Sequence, residues 1–412
     1  MLSILSKNEK VELSNKTLRT PELDRLPYIV KFKEKTKRKR KDLDKTSILQ
    51  EHIGPTMTFN NLDQITDNYT PNISPDALIA TDVNDYGLRT VFLHLTQKEL
   101  LALKKDDNVE YVQPDGVITI SDLYQTFQNP ELVTAGISAQ AETIPWGIER
   151  VKATVCWEAS KGKDITVAVL DTGVTPHPDL EGNLLTGISF VPGETWQDGN
   201  GHGTHVAGTI AARENGSGVV GVAPSASIKP MKVLSNSGEG QYSWLMQALY
   251  QLGKNYTWID VANMSLGGPS APDALEDYCK YASSHCLLVA AAGNDGARVG
   301  HPAKYDSVVA VSALDSSNNL ASFSNRGPEV ELSAPGVNIL SLRPGGGYAT
   351  LSGTSMASPH VAGVAALCRG THRFSDMDDI RKILQITATD LGTSGKDGNF
   401  GYGLVNCPGA TL

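Results

Sequence analysis

Three reactive side chains stand where apolar runs begin or end. Val167-Ala168-Val169-Leu170 leads into Asp171-Thr172-Gly173, and His202-Gly203-Thr204-His205 opens onto Val206-Ala207-Gly208-Thr209. Gly353-Thr354-Ser355-Met356-Ala357-Ser358-Pro359-His360 precedes the apolar stretch Val361 to Leu367. An acid, an imidazole and a hydroxyl are the parts of nucleophilic hydrolysis. Serine is a weak nucleophile at its free pKa and needs a base. Histidine takes that proton and later returns it to the leaving amine. Aspartate orients the imidazole and stabilises its charged form without itself being protonated. Each fragment also has a bland reading: Asp-Thr-Gly as a turn, His-Gly-Thr-His as a metal pair, serine as a helix cap. Zinc hydrolysis is the poorer rival, because the pattern HExxH is absent. The residues alone leave His205 as a competitor of His202.

These side chains need elements to carry them. From Ile144 onward, apolar runs at 165–170, 228–234, 261–264, 287–292 and 308–311 alternate with helical patterns. That pattern predicts an α/β fold, a mostly parallel sheet with helices on both faces. Sites in such sheets form at the carboxyl ends of the strands, where Asp171 is expected. A nucleophile opening a helix also gains free backbone N–H groups and the helix dipole. Upstream, strands are predicted at 28–32, 90–95 and 108–112, with Thr96 capping a helix over 97–105. The chain thus divides into a polar N-terminal arm (1–26), a small α+β domain (27–115), a linker (116–140) and the large domain (141–412). The basic run from Lys35 to Lys41 reads as a solvated loop, with a docking or self-cleavage site as the sharper alternative.

Composition narrows the class. With 36 Lys and Arg against 45 Asp and Glu, the net charge of −9 favours solubility and gives no reason to expect nucleic acid. No stretch approaches the ~18 apolar residues of a membrane span. The N-terminus lacks an apolar signal-peptide core, so the expected address is cytoplasmic, or outside by a route not visible here. The five cysteines are too sparse for a disulfide framework, and Cys279 and Cys286 are the pair to check.

The three segments resemble the signature motifs of the subtilisin-like serine proteases. The order Asp, His, Ser along the chain is that family's order. The resemblance runs from about Ile144 to the C-terminus and includes Asn263-Met264-Ser265-Leu266-Gly267-Gly268-Pro269 and Ala291-Ala292-Gly293-Asn294. It implies a serine endopeptidase acting through an acyl-enzyme, with Asp171, His202 and Ser355 as the triad and Asn294 as oxyanion donor. Protein or peptide substrate is expected to lie as an extended strand between Gly238-Glu239-Gly240 and Ser265-Leu266-Gly267. The first pocket is then walled by Ser265 to Gly267, Ala291 to Gly293, and Gly300. Tyr242 and Leu245, with Leu266, line the pocket four residues upstream of the cut. Small walls favour large apolar residues, and acidic Asp295 and Glu239 allow some Lys or Arg.

The resemblance also implies Ca2+, held by Glu142, Asp179 and Asn215 with the carbonyls of Arg213, Ser217 and Val219. Glu142 stands where the family carries glutamine. A weaker cation site is expected near Ala303, Tyr305, Val308 and Glu331. More weakly, residues 27–115 resemble the family's propeptide, an intramolecular inhibitor and folding aid whose tail enters the cleft as a first substrate. The processing cut is expected between 116 and 141. A dedicated precursor-processing protease and an inactive, prodomain-locked binding protein are the alternatives.

Overall fold

Runs such as Val167–Leu170 have two apolar faces to bury, which a parallel sheet covered by helices on both sides achieves. The computed structural model describes residues 25–33, 58–61, 79–83, 88–120, 142–372 and 375–411. The basic run at 35–41 and most of the expected linker lie outside them.

The N-terminal part is a five-stranded sheet in the order β2-β3-β4-β1-β5. Its strands are β1 (Leu26–Phe32), β2 (Thr58–Asn61), β3 (Ile79–Val83), β4 (Thr90–Leu95) and β5 (Val109–Pro114). Helix α1 (Gln97–Leu103) starts at a capping box, with Thr96 accepting from the Glu99 N–H and Glu99 accepting from the Thr96 N–H. A short strand, β6 (Val117–Thr119), follows Pro114.

The large body continues with β7 (Thr166–Asp171), β8 (Ile188–Ser189), helix α2 (His202–Ala211), β9 (Ser227–Lys232), β10 (Glu239–Gln241) and α3 (Tyr242–Lys254). Next come β11 (Val261–Met264), α4 (Ala274–Ser283), β12 (Leu287–Ala291), β13 (Val309–Leu314) and β14 (Val330–Pro335). A hairpin of β15 (Ile339–Arg343) and β16 (Gly347–Leu351) leads into α5 (Thr354–Thr371), and α6 (Met377–Thr387) follows. Seven strands form one sheet in the order β14-β13-β12-β11-β7-β9-β8, all parallel.

Alternate residues of β7 serve opposite faces, as the period of a strand requires. Val167 and Val169 join one core with Val206 of α2 and Val361 of α5. Ala168 and Leu170 join a second core with Leu245 and Leu249 of α3 and Leu275 of α4. All five cysteines are buried free thiols, so Cys279 and Cys286 are not bridged. Among the described residues, no helix is long and apolar enough to cross a membrane.

Candidate active site

Asp171 is the last residue of β7, at the carboxyl end of a strand near the middle of the sheet. Its Oδ1 accepts from His202 Nδ1 at 2.7 Å and from the Thr172 N–H at 2.7 Å. The imidazole is thereby fixed with its proton on Nδ1, leaving Nε2 as a base. His202 is the first residue of α2, behind Gly201, whose φ of 113° suits only glycine without strain. Asp198 holds this helix start: its carboxylate accepts from the Gly201 and Thr204 N–H groups and from the Thr172 hydroxyl. A carboxylate there also complements the helix dipole. Sequence reasoning passed over Asp198, because Asp198-Gly199-Asn200-Gly201 reads as an ordinary turn.

Ser355 is the second residue of α5. Its hydroxyl donates to the Ser265 carbonyl at 3.2 Å, while His202 Nε2 is buried with no hydrogen-bond partner. Pro359 lies inside this helix and has no N–H to offer the carbonyl four residues earlier, that of Ser355. The Ser265 hydroxyl donates to that carbonyl instead, at 2.8 Å. The Ser355 turn is therefore tied by two bonds to the segment expected to bind substrate. Asn294 Oδ1 accepts from the Thr354 N–H and hydroxyl, both at 2.8 Å. These bonds orient the amide beside the helix start, whose first N–H groups have no intrahelical acceptors. Asp171, His202 and Ser355 are each fully buried.

The expected substrate cleft holds part of the chain itself. Strand β6 pairs antiparallel with β10, placing Ile118 opposite Gly240. On the other side Thr119 bridges Gly267, exchanging N–H···O bonds of 3.2 and 3.0 Å. Ile120 N–H donates to the Gly238 carbonyl at 3.0 Å. Ile118 is fully buried and packs in one cluster with Tyr242, Leu245 and Leu266, whereas Val117 is 61% exposed. A Cβ on Gly238 would approach Ile120 Cδ1 to 2.7 Å. Glu239 and Asp295 are exposed, and the Gly300 N–H donates to the Ala292 carbonyl at 3.0 Å.

The residues expected to hold calcium are hydrogen-bonded to one another. Glu142 Oε1 accepts from the Asn215 and Gly216 N–H groups, and Asn215 Nδ2 donates to Asp179 Oδ1 at 3.1 Å. The Arg213 N–H donates to the Asp179 carbonyl, the Ser217 hydroxyl to Asn215 Oδ1, and the Val219 N–H to Asp179 Oδ2. Two carboxylates and an amide oxygen brought together from three segments of the chain suit a hard cation. Among the described residues, no cluster of three or more His, Cys, Asp or Glu could hold a metal. At the second expected cation site the charge beside Glu331 is a guanidinium. Arg381 pairs with that carboxylate through Nε at 2.8 Å, and also donates to the carbonyls of Asp306 and Val308.

Comparison with known proteins agrees with this architecture. The subtilase family pattern matches residues 162–403. Subtilisin Savinase of Lederbergia lenta is 50% identical over 275 residues, 66% of this chain and 100% of the relative. M-protease of Shouchella clausii is 45% identical over 323 residues, covering 77% of this chain and 78% of the relative. Subtilisin E of Bacillus subtilis is 44% identical over 327 residues, covering 77% and 79%. The chain belongs to the subtilase family and is a serine endopeptidase of the subtilisin type.

Proposed function

We propose that this endopeptidase cuts peptide bonds with Asp171, His202 and Ser355 as its triad, and that the chain is made as a self-inhibited precursor. The observation that carries the second part is the three-stranded arrangement of β10, residues 117–120 and Gly267. It is the geometry of a substrate clamped by strand addition, supplied by the enzyme's own sequence.

In the reaction, the Ser355 hydroxyl leaves the Ser265 carbonyl and turns to His202 Nε2. His202 takes its proton as the oxygen attacks the scissile carbonyl. Asp171 holds the imidazolium, and Asn294 and the Ser355 N–H face the developing oxyanion. His202 then protonates the leaving amine, and water releases the acyl group by the reverse sequence. Hydroxyl–imidazole bonds of this kind commonly tighten only when substrate is present.

The register also orients the precursor. Thr119 stands opposite Gly267, and the segment runs antiparallel toward Ser265, whose carbonyl touches the nucleophile. Residues up to Ile120 are thus on the acyl side, and the first cut falls C-terminal to Ile120, inside the expected range of 116–141. Residues 27–115 act as the inhibitor and folding aid. Free substrates are expected to carry a large apolar residue before the cut, because glycine and alanine wall that pocket. Glu142, Asp179 and Asn215, with the loop carbonyls of Arg213, Ser217 and Val219, would hold Ca2+, which ties the chain near residue 142 to the loop at 213–219.

A fluorophosphonate probe and mass spectrometry test this together. Labelling of Ser355 in wild type, and an uncut chain in Ser355→Ala, are the expected results. A chain trimmed equally in both would sink self-processing, and no labelling would sink the triad.

A further inference from the structure

We infer that His205 is a positioning residue, a latch that fixes the helix carrying the base to the hairpin that feeds the nucleophile. The inference rests on the triad assignment above. His205 lies one turn after His202 on α2 and is fully buried. Its Nε2 lies 3.0 Å from the Ile339 carbonyl on β15 and 3.1 Å from the Ala349 carbonyl on β16. Both partners are acceptors, so Nε2 must carry the proton and share it between two strands. The tie is returned: the Ser341 hydroxyl of β15 donates to the His205 carbonyl at 2.7 Å.

The packing leaves no slack around these bonds. A Cβ on Gly208, one turn further along α2, would meet Leu342 Cγ at 2.4 Å and Ser341 Oγ at 2.5 Å. Strand β16 ends at Leu351, and α5 with Ser355 begins at Thr354. A shift of the hairpin is therefore passed to Ser355 through a very short connection, while a shift of α2 moves His202. Burial, with the nearby His202, pushes the His205 pKa down to about 3. The ring is neutral at working pH, so it acts through its geometry and carries no charge.

The latch touches neither strand of the substrate cleft, so its loss should fall on kcat and spare KM. The test uses the full chain, with active sites counted by a fluorophosphonate and kinetics measured on a peptide amide. His205→Leu keeps bulk but removes the donor, and kcat per labelled site should drop about 10–100-fold, with KM within about twofold. His205→Gln, whose amide again offers N–H donors, should regain most of that loss. A folded Leu variant with unchanged kcat overturns the inference, as does a loss seated in KM or one that glutamine fails to rescue. If the Leu variant does not fold, Ser341→Ala tests the same tie from the hairpin, and an unaltered kcat there overturns it. Ser355→Ala run alongside separates the two claims. Residual full activity in that variant removes the triad, whereas an inert Ser355→Ala beside a fully active His205→Leu removes only the latch.

Discussion

The two sheets of this molecule solve burial differently. The seven-stranded sheet is covered on both faces by its own helices, and β7, β12, β13 and β14 are buried along their whole length. The five-stranded N-terminal sheet keeps a small cluster of its own around Val30, Val91, Leu93 and Leu103. Its other face supplies Ile29 and Phe92 to the core of the large body, where the Phe92 ring lies 6.1 Å from that of Tyr278 on α4. Polar ties follow the same border. Lys31 pairs with Asp277 at 3.1 Å, Gln113 Nε2 donates to Asp273 at 2.6 Å, and Asp115 accepts from the Ser243 N–H at 3.0 Å. That last bond meets the start of α3, where Gln241 gives no side-chain cap. One sheet is thus covered by its own helices, and the other is completed by docking. The inhibitor role proposed for the N-terminal part would use that asymmetry, since a cut after Ile120 would separate a part whose outer face, with Ile29 and Phe92, is covered only by docking.

The sharpest way to break this contrast is to stop the chemistry while leaving both sheets in place. Ser355→Ala should lose on the order of 10⁶ in kcat, the size of effect established for subtilisin itself. It should leave a full-length chain on a denaturing gel. Asn294→Ala should lose about 10²–10³ in kcat with little change in KM, again the size established for subtilisin. A loss confined to KM would move Asn294 from the oxyanion to the ground state.

The docked side can be loosened at its tail. Ile118→Ala empties a buried site and should weaken the tail's hold by about 2–5 kcal/mol. In an otherwise inert Ser355→Ala chain, a labelled peptide substrate should then enter the cleft at lower concentration. Equal binding with and without Ile118 would contradict the occupied cleft.

A smaller effect is expected from pH. Burial raises the Asp115 carboxyl to about 6, opposed by hydrogen bonds from Ser243 and Tyr242. A carboxyl whose pKa is higher docked than free binds its proton more tightly when docked. Docking is therefore favoured below about pH 4 and loses that support as pH rises through about 6, by about 3 kcal/mol at most. Melting of the Ser355→Ala chain from pH 4 to 7 should show this decline, and Asp115→Asn should flatten it.

Chelation addresses the large body alone. If the proposed site holds Ca2+ at a hundred times its Kd, removing the ion should destabilise the large body by about 2.7 kcal/mol. Asp179→Asn should abolish the calcium dependence of the melting temperature, and a dependence that survives would place the ion elsewhere.

Much of this was open to sequence reasoning because it is local. The strands at 28–32 and 90–95, the helix cap at Thr96, and the apolar run ending at Asp171 each follow from neighbours in the chain. The motif order at Asp171, His202 and Ser355 carried the family, since long fixed patterns leave few alternatives. Other features depend on partners far away in sequence. Nothing near Asp198 distinguishes it from a turn residue until α2 and Thr172 converge on its carboxylate. Arg381 became the partner of Glu331 only because α6 lies beside β14. His205 was indistinguishable from His202 by type and spacing, and the fold separated them: one ring faces Asp171, the other two strands of a hairpin. Residue types and short-range periodicity determined which elements form and which chemistry they carry, because backbone sterics and burial act over a few residues. Which groups meet across 30 to 180 positions was decided only by the packed sheet, because such contacts exist only once the chain has folded.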